Sequence, residues 1–357
     1  MEIEKYQSIA KAFGIENRQF QCNPFGTGHI NFTFGLQETN EAEPDYILQK
    51  INTHVFPDPE KIASNWNAAE SFIRRLDTDY QMIKFLPTMD GNNFFRDEDG
   101  EYWRLIPFVK NTFTCETAET PEQAYQTASA FGNLTRLLNG VTISDFQTIL
   151  SDFHNLSFRE WQFNEALAKA DFERLEVVKE LLITKKSFVQ ITTEFESIQK
   201  QKLLPIRIFH IDAKISNILF SKGTRLPVCI VDYDTLMPGT ILSDVGDMLR
   251  SMTSDTVEDE ADLSKIKFRE DFVASILDGY LDAMKNIITI NEKRLLYFGG
   301  IVLVYMQAIR FLTDYLENDR YYHIAYSTQN LVRAQNQFRL LALMAEKRTE
   351  IERKFLV

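Results

Sequence analysis

The sequence predicts an α+β protein of two lobes, a small sheet-rich lobe over residues 1–108 and a larger, mainly helical lobe over residues 109–357. Three observations predict this class. In the first third of the chain, short segments rich in aromatic and β-branched residues are separated by Asn, Asp, Gly and Pro. Through most of the rest, apolar residues recur at intervals of three and four. Two short extended segments, "PIRIFHID" and "PVCIVDYD", interrupt the helical part and are expected to form a strand pair.

In the small lobe, the segments "FTFGLQ", "DYILQKIN" and "EYWRLIPFV" have the composition of strands. Between the second and third of these lies one predicted helix, "PEKIASNWNAAESFIRRL". Its apolar residues share one helical face: Ile62, Trp66, Ala69, Phe72, Ile73 and Leu76. The small lobe is therefore expected to be a sheet with a single helix.

The large lobe is predicted from long segments with helical spacing and few breakers, among them "AYQTASAFGNLTRLLNG", "FNEALAKADFERLEVVKELL" and "FVASILDGYLDAMKNII". The longest apolar stretch, "LLYFGGIVLVYMQAI" from Leu295 to Ile309, is flanked by basic residues. It falls short of the ~20 residues that a bilayer span requires, so we expect a buried helix there.

Composition narrows the class of partner. The net charge of −12 disfavours an extended surface for nucleic acid or anionic membranes, because phosphate-rich partners need clustered Lys and Arg. The N-terminal residues lack a basic segment followed by an apolar core, so we expect a cytoplasmic protein. Cys22, Cys115 and Cys229 have no C-x-x-C spacing and indicate reduced thiols. A small-molecule substrate is expected, and both a monomer and a dimer are compatible with the sequence.

One motif in the middle of the chain carries the chemistry. In "FHIDAKISNILF", Asp212 follows an apolar strand and Asn217 stands five residues later, the H-x-D-x-x-x-x-N spacing of a kinase catalytic loop. Phosphoryl transfer needs a carboxylate at the acceptor hydroxyl and oxygen ligands for Mg²⁺. Asp212 suits the first task and Asn217 the second, while Lys214 can offset charge on the transferred phosphoryl group.

A second acidic motif follows shortly after. The strand "VCIVDYD" ends in Asp232 and Asp234, the counterpart of the metal-binding D-F-G segment of kinases. We expect Asp232 to bind Mg²⁺, whereas Asp234 either binds a second ion or caps the next turn. Asp244 and Asp247 are expected to open or cap the following helix, a position that needs no catalytic explanation.

A glycine loop in the small lobe completes the pattern. "NPFGTGHINFTF" holds Gly26, Gly28 and Asn31 in a G-x-G-x-x-N arrangement. A strand follows it, where a dinucleotide-binding fold would need a helix, so the loop is typical of a kinase phosphate cover. The usual kinase lysine is replaced in this register by Gln49, and Lys50 falls on the opposite face of its strand.

These motifs resemble the aminoglycoside phosphotransferase and choline kinase superfamily, whose fold is protein-kinase-like. Within it, "GTGHIN", "YILQKIN" with "FPDP", "DEADLSKIKF" and "RFLTDYLENDRYY" are similar to the bacterial N-acetylhexosamine 1-kinases. The resemblance implies ATP- and Mg²⁺-dependent phosphorylation of the anomeric hydroxyl of an N-acetylated sugar. It implies Asp212 as catalytic base, Asn217 and Asp232 as metal ligands, and sugar contacts from three residues: His29, Arg310 and Tyr321.

Phe108 and Val109, at the boundary between the two lobes, are predicted with the glycine loop to bind the nucleotide. Some alternatives stay open at this point. Arg310 can instead pair with Asp314 at i,i+4 spacing. The acceptor can be an aminoglycoside, choline or a homoserine-type alcohol, or the chain can be a pseudokinase, as the unusual Gln49 suggests.

Overall fold

The computed structural model describes residues 3–26, 30–38, 41–76 and 79–355, and its fold is mixed α+β. The chain divides into two compact units. The first contains the described residues up to Phe113 together with 144–150 and 219–236, and the second contains the remainder. The sequence predicted a single boundary after residue 108, whereas two later segments of the chain pack with the first unit.

In chain order the helices and strands are α1 (Ile3–Ala12), β1 (Phe20–Pro24), β2 (Phe32–Glu38), β3 (Tyr46–Lys50), α2 (Pro59–Arg74), β4 (Phe95–Arg96), β5 (Tyr102–Pro107), β6 (Thr112–Phe113), α3 (Pro121–Leu137), α4 (Leu156–Lys169), α5 (Phe172–Ser187), α6 (Val189–Lys200), β7 (Arg207–Phe209), β8 (Ile218–Ser221), β9 (Pro227–Ile230), β10 (Met237–Gly239), α7 (Ile241–Met252), α8 (Glu270–Met284), α9 (Ile290–Leu316) and α10 (Gln329–Phe355). The predicted strands of the small lobe correspond to β2, β3 and β5, and the predicted helix corresponds to α2.

The first unit is built on an antiparallel sheet of five strands in the order β1-β2-β3-β5-β4. One face of the sheet buries Leu36, Leu48, Trp103 and Leu105 against apolar residues of α1. Because side chains alternate along a strand, the neighbouring residues on β3 and β5 project from the other face. Gln49 and Arg104, which are direct cross-strand partners, occupy that second face.

The two extended segments in the middle of the chain do not pair with each other, contrary to the expected strand pair. β7 pairs antiparallel with β10, and β9 lies in a sheet of order β6-β8-β9. The reason is a hairpin between β8 and β9: Ser221 N donates to Leu226 O at 2.9 Å, and Arg225 N donates to Ser221 O at 2.9 Å. A strand that leaves a tight hairpin meets the preceding strand first.

The second unit is mainly helical. By length and composition alone α9 is able to cross a membrane, with a mean hydropathy of 1.7, but 83% of that window is buried inside the protein. It packs against α7 and α10 as a core helix. The contact with α7 is so close that a Cβ atom on Gly246 would lie 2.5 Å from the carbonyl oxygen of Gly299. Only glycine therefore fits at residue 246 without a shift of one helix.

Candidate active site

The candidate residues divide between the two units. The second unit contains Asp212, Lys214, Asn217, Arg310 and Tyr321. The first unit contains Gly26, Asn31, Phe108, Val109, Asp232 and Asp234. Gly28 and His29 lie outside the described residues, so their predicted roles stay predictions.

The segment that contains Asp212 follows β7 and forms a tight polar loop. Lys214 Nζ lies 2.9 Å from Asp212 Oδ2. Asn217 Nδ2 donates to the same oxygen at 3.0 Å and to the Asp212 carbonyl at 2.8 Å. Burial opposes ionisation of Asp212, but the Lys214 cation and the Asn217 hydrogen bond outweigh it and hold the pKa of the carboxyl well below its usual range. Asp212 is therefore ionised at neutral pH.

Asn217 is suited to bind a metal ion through its remaining polar atom. Since both bonds from Nδ2 go to Asp212, the amide orientation is fixed and Oδ1 is the atom that can act as a ligand. No group of three His, Cys, Asp or Glu side chains within the described ranges is placed to hold a metal. Kinase Mg²⁺ takes only one or two protein ligands, since substrate phosphates and waters supply the rest. The donor types of Asn217 and Asp232 fit that pattern.

The backbone of the Asp212 loop is held by a residue whose role the sequence did not predict. Ile211 has φ 70°, which is rare for a β-branched residue and costs of the order of 1–3 kcal/mol. The buried Asp244 carboxylate accepts the Ile211 N–H at 2.7 Å and the His210 N–H at 3.2 Å. Burial raises the pKa of Asp244 to about 6. Asp244 thus clamps two successive amides immediately before Asp212.

The expectation that Asp244 and Asp247 only open or cap a helix needs correction. Both lie inside α7, and the structure gives no side-chain cap bond at the N-cap of this helix, Thr240. Asp247 Oδ1 accepts from Arg250 Nε at 2.7 Å. The sequence did contain a signal for Asp244: it stands three residues after Ile241 and four before Met248, on the buried face of the helix. An acid on that face needs internal donors.

The acidic pair after β9 has two different environments in the first unit. Asp232 has φ 62° and ψ 55°, a left-handed conformation that favours glycine. Asp234 forms a two-pronged ion pair with Arg104, through Nη1 and through Nη2 at 3.0 Å. Asn31 Nδ2 also donates to Asp234 at 2.7 Å. The Asp234 carboxylate is thus engaged by Arg104 and Asn31, and its metal role stays a prediction with no supporting contact. The metal role of Asp232 also stays a prediction.

Gln49, at the position of the usual kinase lysine, takes part in the same network. Its Oε1 accepts from Arg104 Nε at 2.9 Å, and its Nε2 donates to Thr33 Oγ1 at 3.0 Å. Lys50 contacts Glu101 at 2.9 Å and lies over the Phe32 ring at 4.6 Å, as expected for a residue on the opposite face of β3. The cation directly opposite Gln49 on this face of the sheet is therefore Arg104 from β5.

The other predicted nucleotide residues lie near one another in the first unit. Gly26 has φ 76°, a conformation that suits glycine, and it lies in the connection between β1 and β2 as predicted. The rings of Phe25 and Phe108 meet edge to face at 5.6 Å. The Phe108 N–H donates to Asp45 O at 2.9 Å, and Val109 O accepts from Thr112 Oγ1 at 2.6 Å. The Phe108 N–H is therefore engaged within the protein, whereas the Val109 carbonyl oxygen can accept a second hydrogen bond. The nucleotide roles of both residues stay predictions.

Arg310 lies among aromatic rings in the second unit. Its guanidinium carbon lies 5.3 Å from the Phe153 ring, 5.7 Å from the Tyr321 ring and 5.6 Å from the Tyr322 ring. Its Nη1 donates to Gln307 Oε1 at 3.1 Å. The alternative of a routine ion pair with Asp314 is not what the contacts show. An arginine in such an aromatic setting is available to a polar ligand.

Asp314 instead holds the segment that carries Tyr321. Its carboxylate accepts three successive backbone N–H groups, from Arg320 at 2.9 Å, Tyr321 at 2.7 Å and Tyr322 at 2.9 Å. Asn330 Nδ2 donates to it as well, at 2.9 Å. Asp314 is only 3% exposed, and these four donors offset the desolvation cost of its buried carboxylate. The residue thereby fixes the backbone beside Arg310.

Two further polar side chains near Arg310 were not singled out by the sequence. His154 stacks on Phe153 with ring centroids 4.6 Å apart, and Arg159 Nη2 donates to Phe153 O at 3.0 Å. His154 Nδ1 and Arg159 Nε are buried and have no hydrogen-bond partner within the described part of the chain. Burial and the nearby Arg310 charge lower the pKa of His154 to about 3 and that of Arg159 to about 10. The cluster is basic and has unused donor capacity.

Comparison with known proteins gives one family. A model described as the phosphotransferase enzyme family matches residues 86–284. The solved microcompartment-associated aminopropanol kinase is 14% identical with a TM-score of 0.63, and the alignment covers 100% of both chains. Spectinomycin phosphotransferase in complex with ADP and spectinomycin is 12% identical with a TM-score of 0.62, covering 97% of this chain and 99% of that one. Choline kinase from Cryptosporidium parvum Iowa II is 12% identical with a TM-score of 0.59, and the alignment covers 100% of this chain and 98% of that one. The shared fold is protein-kinase-like.

Proposed function

The chain belongs to the phosphotransferase enzyme family, and we propose that it phosphorylates the anomeric hydroxyl of N-acetylhexosamines to the sugar 1-phosphate. ATP is the proposed donor, Mg²⁺ the proposed metal and N-acetylglucosamine or N-acetylgalactosamine the proposed acceptor. Membership of the family makes the protein a small-molecule phosphotransferase; the identity of the acceptor is the proposal. A sugar salvage reaction of this kind is expected in the cytoplasm.

The chemistry follows from the Asp212 loop. The ionised Asp212 carboxylate accepts the proton of the acceptor hydroxyl. The hydroxyl oxygen of the acceptor attacks the γ-phosphorus of ATP, and the bond between this phosphorus and the oxygen of the leaving ADP breaks. Lys214, 2.9 Å from this carboxylate, is placed to offset charge on the transferred group. Asn217 and Asp232 each offer one oxygen ligand to Mg²⁺, which when bound neutralises the phosphate oxygens.

The acceptor class is supported mainly by the setting of Arg310. A guanidinium surrounded by Phe153, Tyr321 and Tyr322 offers directional N–H donors beside flat apolar faces, the mixture that sugars bind. A cationic aminoglycoside or choline would meet like charge there, which disfavours it. The resemblance of segments far from the catalytic loop to N-acetylhexosamine 1-kinases supports the same acceptor.

A panel of acceptors with ATP and Mg²⁺ tests the proposal. Coupled detection of ADP release is expected to show turnover with N-acetylglucosamine or N-acetylgalactosamine, and phosphorus NMR is expected to show an anomeric 1-phosphate. Choline, aminopropanol, homoserine and kanamycin are the matched alternatives. Turnover of one of these without turnover of the N-acetylhexosamines would contradict the sugar assignment and favour an amino-alcohol or aminoglycoside kinase. No turnover with any acceptor, together with Mg-ATP binding, would favour a pseudokinase.

Arg310→Gln is expected to raise KM for the sugar by about 10- to 100-fold, because it removes a charged hydrogen-bond donor. The value of kcat at saturating sugar and KM for ATP are expected to stay within about three-fold of wild type, since binding of the sugar is the interaction lost. Arg339→Gln on an exposed part of α10 is the control. An unchanged KM for the sugar would place Arg310 outside the acceptor site.

A further inference from the structure

The first unit contains a buried ion pair beside Gln49, the residue predicted at the position of the usual kinase lysine. Arg104 and Asp234 are each 1% exposed, and Arg104 stacks on Phe85 at 4.8 Å. A buried ion pair contributes little net stability, because desolvation of both charges offsets their attraction. Its value lies in geometry, since the two-pronged contact from Nη1 and Nη2 fixes the carboxylate in one orientation.

The pair is connected to several parts of the candidate nucleotide site. Asp234 Oδ2 accepts a hydrogen bond from Asn31 Nδ2 at 2.7 Å. The other polar atom of the same amide, Asn31 Oδ1, accepts the Asn52 N–H at 3.0 Å. Arg104 Nε reaches Gln49, which extends the network to β2 through Thr33. One guanidinium thus joins β5, β3 and the acidic segment after β9, and Asp234 joins that segment to the residue that follows the glycine loop.

The network also bears on Asp232. That residue adopts the left-handed conformation and begins the single 3₁₀ turn Tyr233–Thr235, which contains Asp234. An uncommon backbone conformation at a non-glycine residue persists only where the surroundings hold it in place. Two hydrogen bonds from Arg104 and one from Asn31 hold the side chain of Asp234, two residues after Asp232. These bonds therefore restrain the turn.

We propose that the Arg104–Asp234 pair is a positioning device that holds Asp232 in its metal-binding conformation, a role that rests on the proposed kinase function. The arrangement explains why Gln49 replaces a lysine. Gln49 lies directly opposite Arg104 in the sheet, and a second cation there would repel it. Arg104 directs its guanidinium to Asp234 and Gln49 and therefore acts on nucleotide binding through the metal ligand, not through the phosphates.

The test is the Mg²⁺ dependence of ADP binding, measured by calorimetry with Mg²⁺ and with EDTA. The double variant Arg104→Met with Asp234→Leu removes both buried charges and is expected to fold. It is expected to weaken Mg-ADP binding by at least about 10-fold while metal-free ADP binding changes by less than about three-fold. Asp234→Asn, which keeps the side-chain shape, is expected to show the same selective loss to a smaller extent.

The matched control is Lys50→Met with Glu101→Leu, an ion pair that joins β3 to the start of β5 on the other face of the sheet. This variant is expected to keep the wild-type Mg²⁺ response. Wild-type Mg²⁺ dependence in both Asp234 variants would overturn the positioning role, as would an equal loss of metal-free and metal-dependent binding. Failure of the wild-type protein to bind Mg-ADP would instead contradict the proposed kinase function.

Discussion

Asp212→Asn is expected to lower kcat by about 10²- to 10⁴-fold, the usual contribution of a positioned general base. The amide keeps the shape of the carboxylate but has a far weaker affinity for the acceptor proton. Lys214 and Asn217, which now contact Asp212 Oδ2 at 2.9 Å and 3.0 Å, would face a neutral group. Affinity for Mg-ADP is expected to stay within about three-fold of wild type, because the base acts on the acceptor.

The control for this prediction is Asp278→Asn, which alters an exposed residue of α8 and is expected to leave kcat unchanged. The pH profile provides a second check. Since the Lys214 cation holds the pKa of Asp212 well below its usual range, protonation of Asp212 is not expected to limit wild-type kcat above about pH 5. A variant with more than a tenth of wild-type kcat, or with an equal loss of Mg-ADP affinity, would contradict the role of base.

The fold class was predictable because the periodicity of apolar residues is local. The sequence indicated β2, β3, β5, α2 and the long buried helix α9, and the structure contains each of them. Strand partners were less predictable. Pairing depends on the connection between strands. The hairpin at Ser221–Arg225 makes β9 pair with β8, so β9 does not pair with β7. A pattern of strand residues contains no information about that choice.

The Asp212 loop was predictable for the same reason, since Asp212 and Asn217 lie five residues apart and contact each other directly. Arg104 was not, because its partner Asp234 lies 130 residues later in the chain. An arginine inside a strand is predicted to be exposed, because arginine is rarely buried unless an acid pairs with it. Gln49 was recognised as unusual, but only the cross-strand register shows that Arg104 lies opposite it.

Asp244→Asn is the second substitution with a large expected effect. The His210 N–H donates to Oδ2 of the carboxylate and the Ile211 N–H to Oδ1, whereas an amide replaces one of these two oxygens with an NH2 group, which is a donor. One buried N–H then lacks a partner, at a cost of about 1–3 kcal/mol that falls on the strained backbone beside Asp212. If that cost opposes the catalytic conformation of the loop, kcat falls by roughly 5- to 150-fold. Wild-type kcat in the variant would contradict the clamp.

The difference in stability between the wild-type protein and this variant is expected to depend on pH. Burial raises the pKa of Asp244 from 3.8 to about 6, so the folded protein binds this proton more tightly than the unfolded chain. The resulting stabilisation is complete below about pH 4 and is lost as pH rises through about 6, a change of about 3 kcal/mol.

Asparagine at residue 244 does not titrate, so the variant lacks this pH dependence. Urea denaturation at pH 4 and pH 7 is therefore expected to show the wild-type free energy of unfolding falling by about that amount relative to the variant. The charges of His210 and Asp247 also act on this carboxylate in the wild-type protein. A difference that stays constant with pH would mean that Asp244 is ionised in the folded protein throughout this range, held so by the two amides it clamps.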